Sequence, residues 1–317
     1  MTHLPPLPSD FVALLDAVIP AGERAMVDAS YTETHHVSFR LNPLKAPPAD
    51  TWDTLRQHPL LTPIPVDGVD GVFTVPPDQR DALTHHPASS DGRLYIQSLS
   101  SMAAVWALDA QPGEEILDLA AAPGGKTSYI AARMQGQGRL AAVEPVKARF
   151  HRLKANLQRL GAGHVHTYLK DGALVGRLTP QRFDRVLLDA PCSSEAQFTR
   201  LDAESWAHWS PKKVKDSARL QAKLLRSAWQ ALKPGGRLVY STCSLSPEEN
   251  ELSVLSLLGT QPDIMVEPVA LPTRLPSCSG LTQWQGRALD PRLAQSLRVL
   301  PSPRTDAFYI CCLRKAA

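Results

Sequence analysis

The stretch from Leu117 to Thr127, LDLAAAPGGKT, constrains the fold more than any other part of the chain. An apolar run, Ile116-Leu117-Asp118-Leu119, breaks at Pro123-Gly124-Gly125, and Lys126 and Thr127 then open a helical pattern. That order spells strand, tight glycine turn and helix. Glycine lets backbone approach a ligand closely, and the helix start points free N–H groups at it, so nucleotide-like molecules bind at such turns.

Downstream, strand and helix patterns alternate: Arg139 to Val143, Lys147 to Leu160, His164 to Leu169, Arg185 to Leu188, Lys213 to Leu232, Arg237 to Tyr240 and Pro247 to Leu258. Alternation of this kind predicts a mostly parallel sheet with helices on both faces. A last buried strand is expected over Ala307 to Leu313, after a Pro/Ser/Arg-rich loop region at about Pro268 to Thr305. Upstream, a helix is expected around Phe11 to Val18. Residues 43–90 are rich in Pro, Asp and Thr, with short apolar pieces such as Gly71 to Val75, and read as a small mixed domain with many turns. The boundary is placed so that residues 1–92 form a small α+β unit and residues 93–317 the main domain.

With 317 residues the chain is long enough for both. A net charge of +3 neither demands nor excludes an anionic partner, so any basic surface must be local. No apolar run approaches the roughly 20 residues of a membrane span, and MTHLPPLPSD lacks the basic flank and apolar core of a secretion signal. A soluble, cytoplasmic monomer is expected. Cys192, Cys243, Cys278, Cys311 and Cys312 form no CxxC pair, which suggests neither a disulfide framework nor a zinc site. The pairs His35-His36 and His85-His86 lack a carboxylate or thiol at ligand spacing, so they are expected to be surface side chains and no metal is expected.

The glycine turn is not a Walker A loop, because GxxxxGK[ST] would need glycine where Ala120 stands, and GxGxxG is also absent. An acid does lie about 20 residues on, at the end of the next strand: Glu144, placed to accept hydrogen bonds from ribose hydroxyls. It also precedes the helix near Lys147, where an acid suits the helix dipole. A ligand with a ribose but no required pyrophosphate fits, and S-adenosyl-L-methionine answers that description.

Two more strands carry chemistry to the same edge of the sheet. FDRVLLDAPCS delivers Asp189 and Cys192, and RLVYSTCS delivers Cys243. Buried cysteines are commonly small apolar fillers, as expected for Cys311 and Cys312, but two thiols at strand exits beside a carboxylate are not ordinary filler. Carbon 5 of a pyrimidine is a poor nucleophile. A thiolate adding to carbon 6 makes carbon 5 enamine-like and able to attack a sulfonium methyl group, while an acid near N3 stabilises the developing charge. The chemistry alone does not say which thiol attacks.

The stretches SFRLNPLK, YIQSLSSM, LDLAAAPGGKT, FDRVLLDAPCS, LKPGGRLVYSTCSLSPEENE and RVLPSPRTDAFYICCLRK resemble the successive motifs of the RsmB/Nop/Sun family of RNA cytosine-5 methyltransferases, from about Ser38 onward. The resemblance implies a Rossmann-like, class I methyltransferase fold, with a mostly parallel seven-stranded sheet and a final antiparallel strand. It implies that Ala120, Ala121, Ala122, Pro123, Gly124, Gly125 and Lys126 line the cofactor loop. Glu144 would hold the ribose, with Arg149 in the following helix and Asp171 near the adenine. Asp189 would lie beneath the methyl donor and the base. Cys243 would be the attacking nucleophile, and Cys192 would assist product release. Ala120 stands where many relatives carry Cys, and Glu144 where Asp is usual. Ser193-Ser194-Glu195-Ala196 replaces a segment that often contains Gly, and Ala307-Phe308-Tyr309 a usual GFF. The segment before the first motif reads as too short for the extra helical RNA-binding domain of some rRNA-specific relatives, which leaves rRNA and tRNA both open as the structured RNA partner.

RNA contact must then come from local charge. Lys147, Arg149, Arg152, Lys154 and Arg159 occur without an acid between Pro145 and Lys170, and Lys212, Lys213, Lys215, Arg219, Lys223 and Arg226 follow Trp206 and Trp209. Arg40 and Asn42 are expected to contact RNA by family analogy. The alternative from another class is a catalytically silent RNA-binding or ribosome-assembly factor with the same fold.

Overall fold

The computed structural model describes residues 4–261 and 263–317. Its first part runs α1 (Ser9–Val18), α2 (Arg24–Ser30), β1 (Val37–Leu41), α3 (Pro48–Arg56), β2 (Ile64–Pro65), β3 (Val72–Val75), α4 (Arg80–His85), α5 (Pro87–Ser90) and β4 (Leu94–Ile96). The four strands form an antiparallel sheet in the order β2-β3-β1-β4. Phe39, Leu55, Leu83 and Leu94 fill its core, and Trp52 stacks on Phe73 with ring centroids 4.5 Å apart. The sheet takes in Leu94–Ile96, just past residue 92. Helices α1 and α2 pack elsewhere: Phe11 meets Phe198 and Trp209, on loops of the second part. His86 is buried rather than on the surface, because its ring accepts from Ala88 N and caps α5.

The second part continues with α6 (Leu99–Leu108), β5 (Glu115–Asp118), α7 (Gly125–Arg133), β6 (Arg139–Val143), α8 (Lys147–Arg159), β7 (His166–Tyr168), α9 (Gly172–Leu178) and β8 (Phe183–Asp189). Then come α10 (Pro211–Ala231), β9 (Leu232–Thr242), α11 (Glu251–Leu258), β10 (Met265–Glu267), β11 (Ser277–Ser279), a small β12–β13 hairpin (Gln283–Trp284 and Arg287–Ala288), β14 (Leu297–Val299) and β15 (Phe308–Arg314). Strands β7, β6, β5, β8 and β9 are parallel neighbours, and β15 inserts antiparallel between β9 and β14. Seven strands thus make the expected Rossmann-like sheet. Two short strands enlarge it to nine: β11 pairs with β14, and β10 pairs with β15. Part of the expected loop region is therefore strand, because backbone beside a sheet edge gains ladder hydrogen bonds whatever its Pro and Ser content.

Alternating side chains of the central strands enter opposite cores. Leu187, Val239, Ile310 and Cys312 face α6 and α7, while Leu188, Tyr240, Tyr309 and Cys311 face α10 and α11. Cys311 and Cys312 are apolar filler, as expected. Helix α6 is buried almost all round, which suits its unbroken LSSMAAVWAL composition.

Arg40 and Asn42 hold the two parts together. Arg40 is buried, lies over the rings of Tyr95 and Tyr129, and donates to Gln97 Oε1 (3.0 Å), Gly125 O (3.1 Å) and Ser128 Oγ (2.8 Å). Asn42 is also buried and donates to Gly92 O and Leu160 O. The expectation that these two residues contact RNA is corrected: neither offers its polar atoms to the surface. Gly92 allows this close seam, since its φ is +84° and a Cβ there would lie 2.4 Å from Arg159 O. Among the described residues no helix is long and apolar enough to cross a membrane.

Candidate active site

Parallel strands β5, β8 and β9 end together, with Asp118 beside Leu187 and Asp189 beside Ser241 in register. That edge is where an open α/β sheet places its ligands. After β5 the chain runs through Ala120, Ala121, Ala122 and Pro123 to Gly124, whose φ of +106° starts α7 at Gly125. A Cβ at Gly125 would lie 2.8 Å from the Tyr95 ring, so glycine is required by the close approach of the first part. Thr127 Oγ1 donates to Asp118 Oδ2 at 2.6 Å, which locks the helix start onto the strand end.

These elements surround a cleft of about 210 Å³, lined by Gln97, Asp118, Ala120 to Pro123, Gly125, Lys126 and Asp189. Asp118 is buried, its Oδ1 has no hydrogen-bond partner, and burial, the leading cause, pushes its carboxyl up to about 6. An orphaned buried acceptor in a cleft wall is a place for a ligand donor. Sequence reasoning missed Asp118, treating it as part of the strand. Its signal was an acid within an apolar run, directly before the glycine turn.

The other expected cofactor residues lie further along the same rim. Glu144 is buried at the end of β6; its Oε1 accepts from Val146 N, just before α8, and its Oε2 lies 3.5 Å from Arg149 Nη1. Arg149 also donates to Ala122 O, so it ties the glycine loop to the Glu144 strand end. Asp171 caps α9 by accepting from Ala173 N and is exposed.

A second, wider cleft of about 870 Å³ lies beyond Lys126 and Asp189. Glu33, His35 and Arg80 come from the first part, Ala196 to Thr199 from the loop after β8, and Phe308 from β15. Cys243 lines this cleft and Cys192 does not. Lys126 and Asp189, together with Ser98 and Ser101, line both clefts and stand where the two meet. Asp189 accepts from Lys126 Nζ at 2.6 Å and from Ser241 Oγ at 2.9 Å, and Lys126 lies over the Phe308 ring. Both carboxylate oxygens are thereby fixed.

The sulfurs of Cys192 and Cys243 face each other at 2.6 Å. The neighbouring Cys243, and then burial, push the Cys192 thiol well above its ordinary range. Behind the thiols stand two buried acids that sequence reasoning passed over. Glu195 accepts from Trp209 Nε1, Ser244 Oγ, Leu245 N, Ser246 N and Ser246 Oγ. Glu249 accepts from Ser193 N and Oγ and from Gln221 Nε2, and its Oε1 lies 3.1 Å from Ser244 Oγ. The Ser-Ser-Glu-Ala segment after Cys192 is thus built around Glu195, and its Ser194 takes the left-handed backbone, φ +67°, that glycine would favour.

The basic runs divide. Lys147, Arg149, Arg152 and Lys154 of α8 are exposed, whereas Arg159 donates to Ser89 O inside the seam. On α10, Asp216 pairs with Lys212 and Arg219, and Lys215, Lys223 and Arg226 are exposed.

Comparison with known proteins agrees with this geometry. The family model described as 16S rRNA methyltransferase RsmB/F matches residues 105–314. Ribosomal RNA small subunit methyltransferase F of Escherichia coli O81 (strain ED1a) is 42% identical over 231 residues, which is 71% of this chain and 48% of that protein. The chain therefore spans about half the length of the curated relatives it matches. Among solved structures, a methyltransferase homolog from Pyrococcus horikoshii is 30% identical, with a TM-score of 0.80, over 98% of this chain and 100% of its own. NSun6 from the same organism, 21% identical with a TM-score of 0.81 over 99% of this chain and all of its own, shares the fold. With more than half its length matched by the family model and its motifs gathered at one sheet edge, the chain belongs to the RsmB/F family of methyltransferases.

Proposed function

We propose that the protein transfers a methyl group from S-adenosyl-L-methionine to carbon 5 of a cytosine in small-subunit ribosomal RNA, through a covalent bond between Cys243 and carbon 6. One observation carries the reading: Asp189 and Lys126 stand where a small cleft at the glycine loop meets a wide cleft that exposes Cys243. A methyl donor on one side and a base on the other would meet at that junction.

The residues of the small cleft and of the strand ends beside it fit the donor. Asp118 Oδ1 is free to accept from an amino group, Glu144 stands at the β6 end for a ribose, Asp171 stands beyond β7 for an adenine, and the loop Ala120 to Lys126 offers close backbone approach. When bound, S-adenosyl-L-methionine supplies an electrophilic methyl group. The protein's own part begins with Cys243, whose thiolate adds to carbon 6 and forms the S–C6 bond. That addition places negative charge on the ring, which a proton delivered to N3 offsets; Asp189, oriented by Ser241 and Lys126, would carry that proton as the acid. After carbon 5 has gained the methyl group, its proton must leave so that the S–C6 electron pair returns to Cys243.

Cys192 suits that last step. The leading cause that holds its proton on is the neighbouring Cys243. Once Cys243 is tied up as a thioether, that cause is gone while burial still acts; with its own proton given up to water, the Cys192 thiolate would take the carbon-5 proton as the base. The same reading places the enzyme in the cytoplasm with its RNA. The choice of small-subunit RNA rests on the 42% identity to proteins of that name, over half their length. Bisulfite sequencing of ribosomal RNA from cells with and without the gene tests it: one or more cytosines of the small-subunit RNA should lose protection when the gene is removed. Unchanged protection throughout would overturn the assignment.

A further inference from the structure

We propose that Glu249 is a positioning residue for Cys192, acting in the release half of the reaction: it clamps the Pro191-Cys192-Ser193 turn so that the Cys192 thiol faces Cys243. The inference rests on the covalent reading above and adds a residue to it.

Glu249 lies between β9 and α11 and is buried, yet its carboxyl reaches across to the turn after β8. Ser193 holds it twice, through N at 3.0 Å and through Oγ. Gln221 of α10 completes the clamp, since its Nε2 donates both to Glu249 Oε2 (2.7 Å) and to Pro191 O (2.9 Å). The residues on either side of Cys192 are therefore fixed by one carboxyl and one amide. Cys243 sits on the other loop, and Ser244, next to it, donates to Glu195 Oε2 at 3.0 Å and contacts Glu249 Oε1 at 3.1 Å. A single hydroxyl has one proton, so it serves one carboxyl as donor and can only accept from the other. Burial first, with Glu195 adding to it, pushes the Glu249 carboxyl up to about 7, which lets the neutral acid donate to a serine. The clamp thus joins both thiol-bearing loops without contributing an atom to the cleft that Cys243 lines.

In this arrangement Glu249 touches no reacting atom. Cutting it back frees the Cys192 turn; the Cys243 loop loses one contact at Ser244 but keeps Glu195, which still holds Ser244, Leu245 and Ser246, so Cys243, Asp189 and the glycine loop stay in place. The first methyl transfer then proceeds, the proton on carbon 5 has no placed acceptor, and the S–C6 bond persists.

The test uses the full chain, labelled S-adenosyl-L-methionine and small-subunit ribosomal RNA transcribed in vitro, with Cys192→Ala alongside. Glu249→Ala should transfer its first methyl group at close to the parent rate, turn over about tenfold or more slowly, and accumulate an RNA adduct that survives denaturing electrophoresis. Glu249→Gln, which keeps an oxygen for Ser193 N, should recover most of the turnover and shed most of the adduct. Full turnover in Glu249→Ala, or equal loss of first transfer and turnover without adduct, overturns the proposal. If Glu249→Ala fails to bind S-adenosyl-L-methionine in calorimetry, Gln221→Leu replaces it; it should also accumulate adduct, and parent-like release in that variant overturns the proposal. Absence of adduct in Cys192→Ala would instead sink the covalent reading itself, so the two failures are distinguishable.

Discussion

The two thiols differ in what surrounds them. Cys243 opens onto the wide cleft, and Cys192 stands behind it among carboxyls and serines. Cys243→Ala should therefore abolish methyl transfer, a loss of several orders of magnitude in single-turnover assays. A third acid behaves differently again. Asp118 is pushed up to about 6 from an ordinary 3.8, so the folded state holds its proton more tightly than the unfolded chain. Its favourable contribution is complete below about pH 4, is lost as pH rises to about 6, and is flat above that, a span on the order of 2–3 kcal/mol. Urea unfolding of Asp118→Asn between pH 4 and pH 7 should show a correspondingly flatter dependence, and an unchanged slope would contradict this. At this scale the sequence told much about residue types: Asp189, Cys192 and Cys243 stood at strand exits. It could not show that Asp118 Oδ1 lacks a partner or that Glu249 reaches Ser193, because those facts depend on contacts between segments far apart in the chain.

Among the elements, α7 is the one that both parts of the molecule hold. Arg40 from β1 donates to Gly125 O and Ser128 Oγ, and Tyr95 fills the space a side chain at Gly125 would need. Arg40→Met leaves those acceptors and Gln97 without their donor, and should lower unfolding stability by about 2–3 kcal/mol. Lysine should not restore it, because one ammonium cannot span the three acceptors that the guanidinium fork meets. Gly125→Ala should weaken S-adenosyl-L-methionine binding by about tenfold or more in calorimetry, as ring and loop move apart. The strand-turn-helix pattern around α7 was plain from local periodicity. The role of Arg40 was not, because a charged residue in a short strand reads as surface unless its distant partners are known. The loop region before β15 misled for a related reason: β11 and β14 are strands because a sheet edge accepts them, not because of their own composition.

For the molecule as a whole, the nearly balanced net charge hides an uneven distribution. Exposed Lys147, Arg152 and Lys154 crowd one helix beside the glycine loop, and Lys215, Lys223 and Arg226 another. If α8 tracks the RNA backbone, Arg152→Glu with Lys154→Glu should weaken RNA binding at every sequence alike and lower the slope of affinity against salt by about two. An unchanged slope would place the RNA elsewhere. The domain plan also has a structural consequence: the wide cleft has walls from the first part, from the loop after β8 and from β15, so it exists only in the assembled chain. What unites residue, element and assembly is the claim that Cys243 bonds to the RNA base at the Asp189–Lys126 junction. Mass spectrometry of nuclease- and protease-digested Cys192→Ala, after incubation with S-adenosyl-L-methionine and small-subunit ribosomal RNA, tests that claim most directly. The account predicts a methylated cytidine attached to Cys243; a nucleotide attached to another residue, or no attached nucleotide at all, would contradict it.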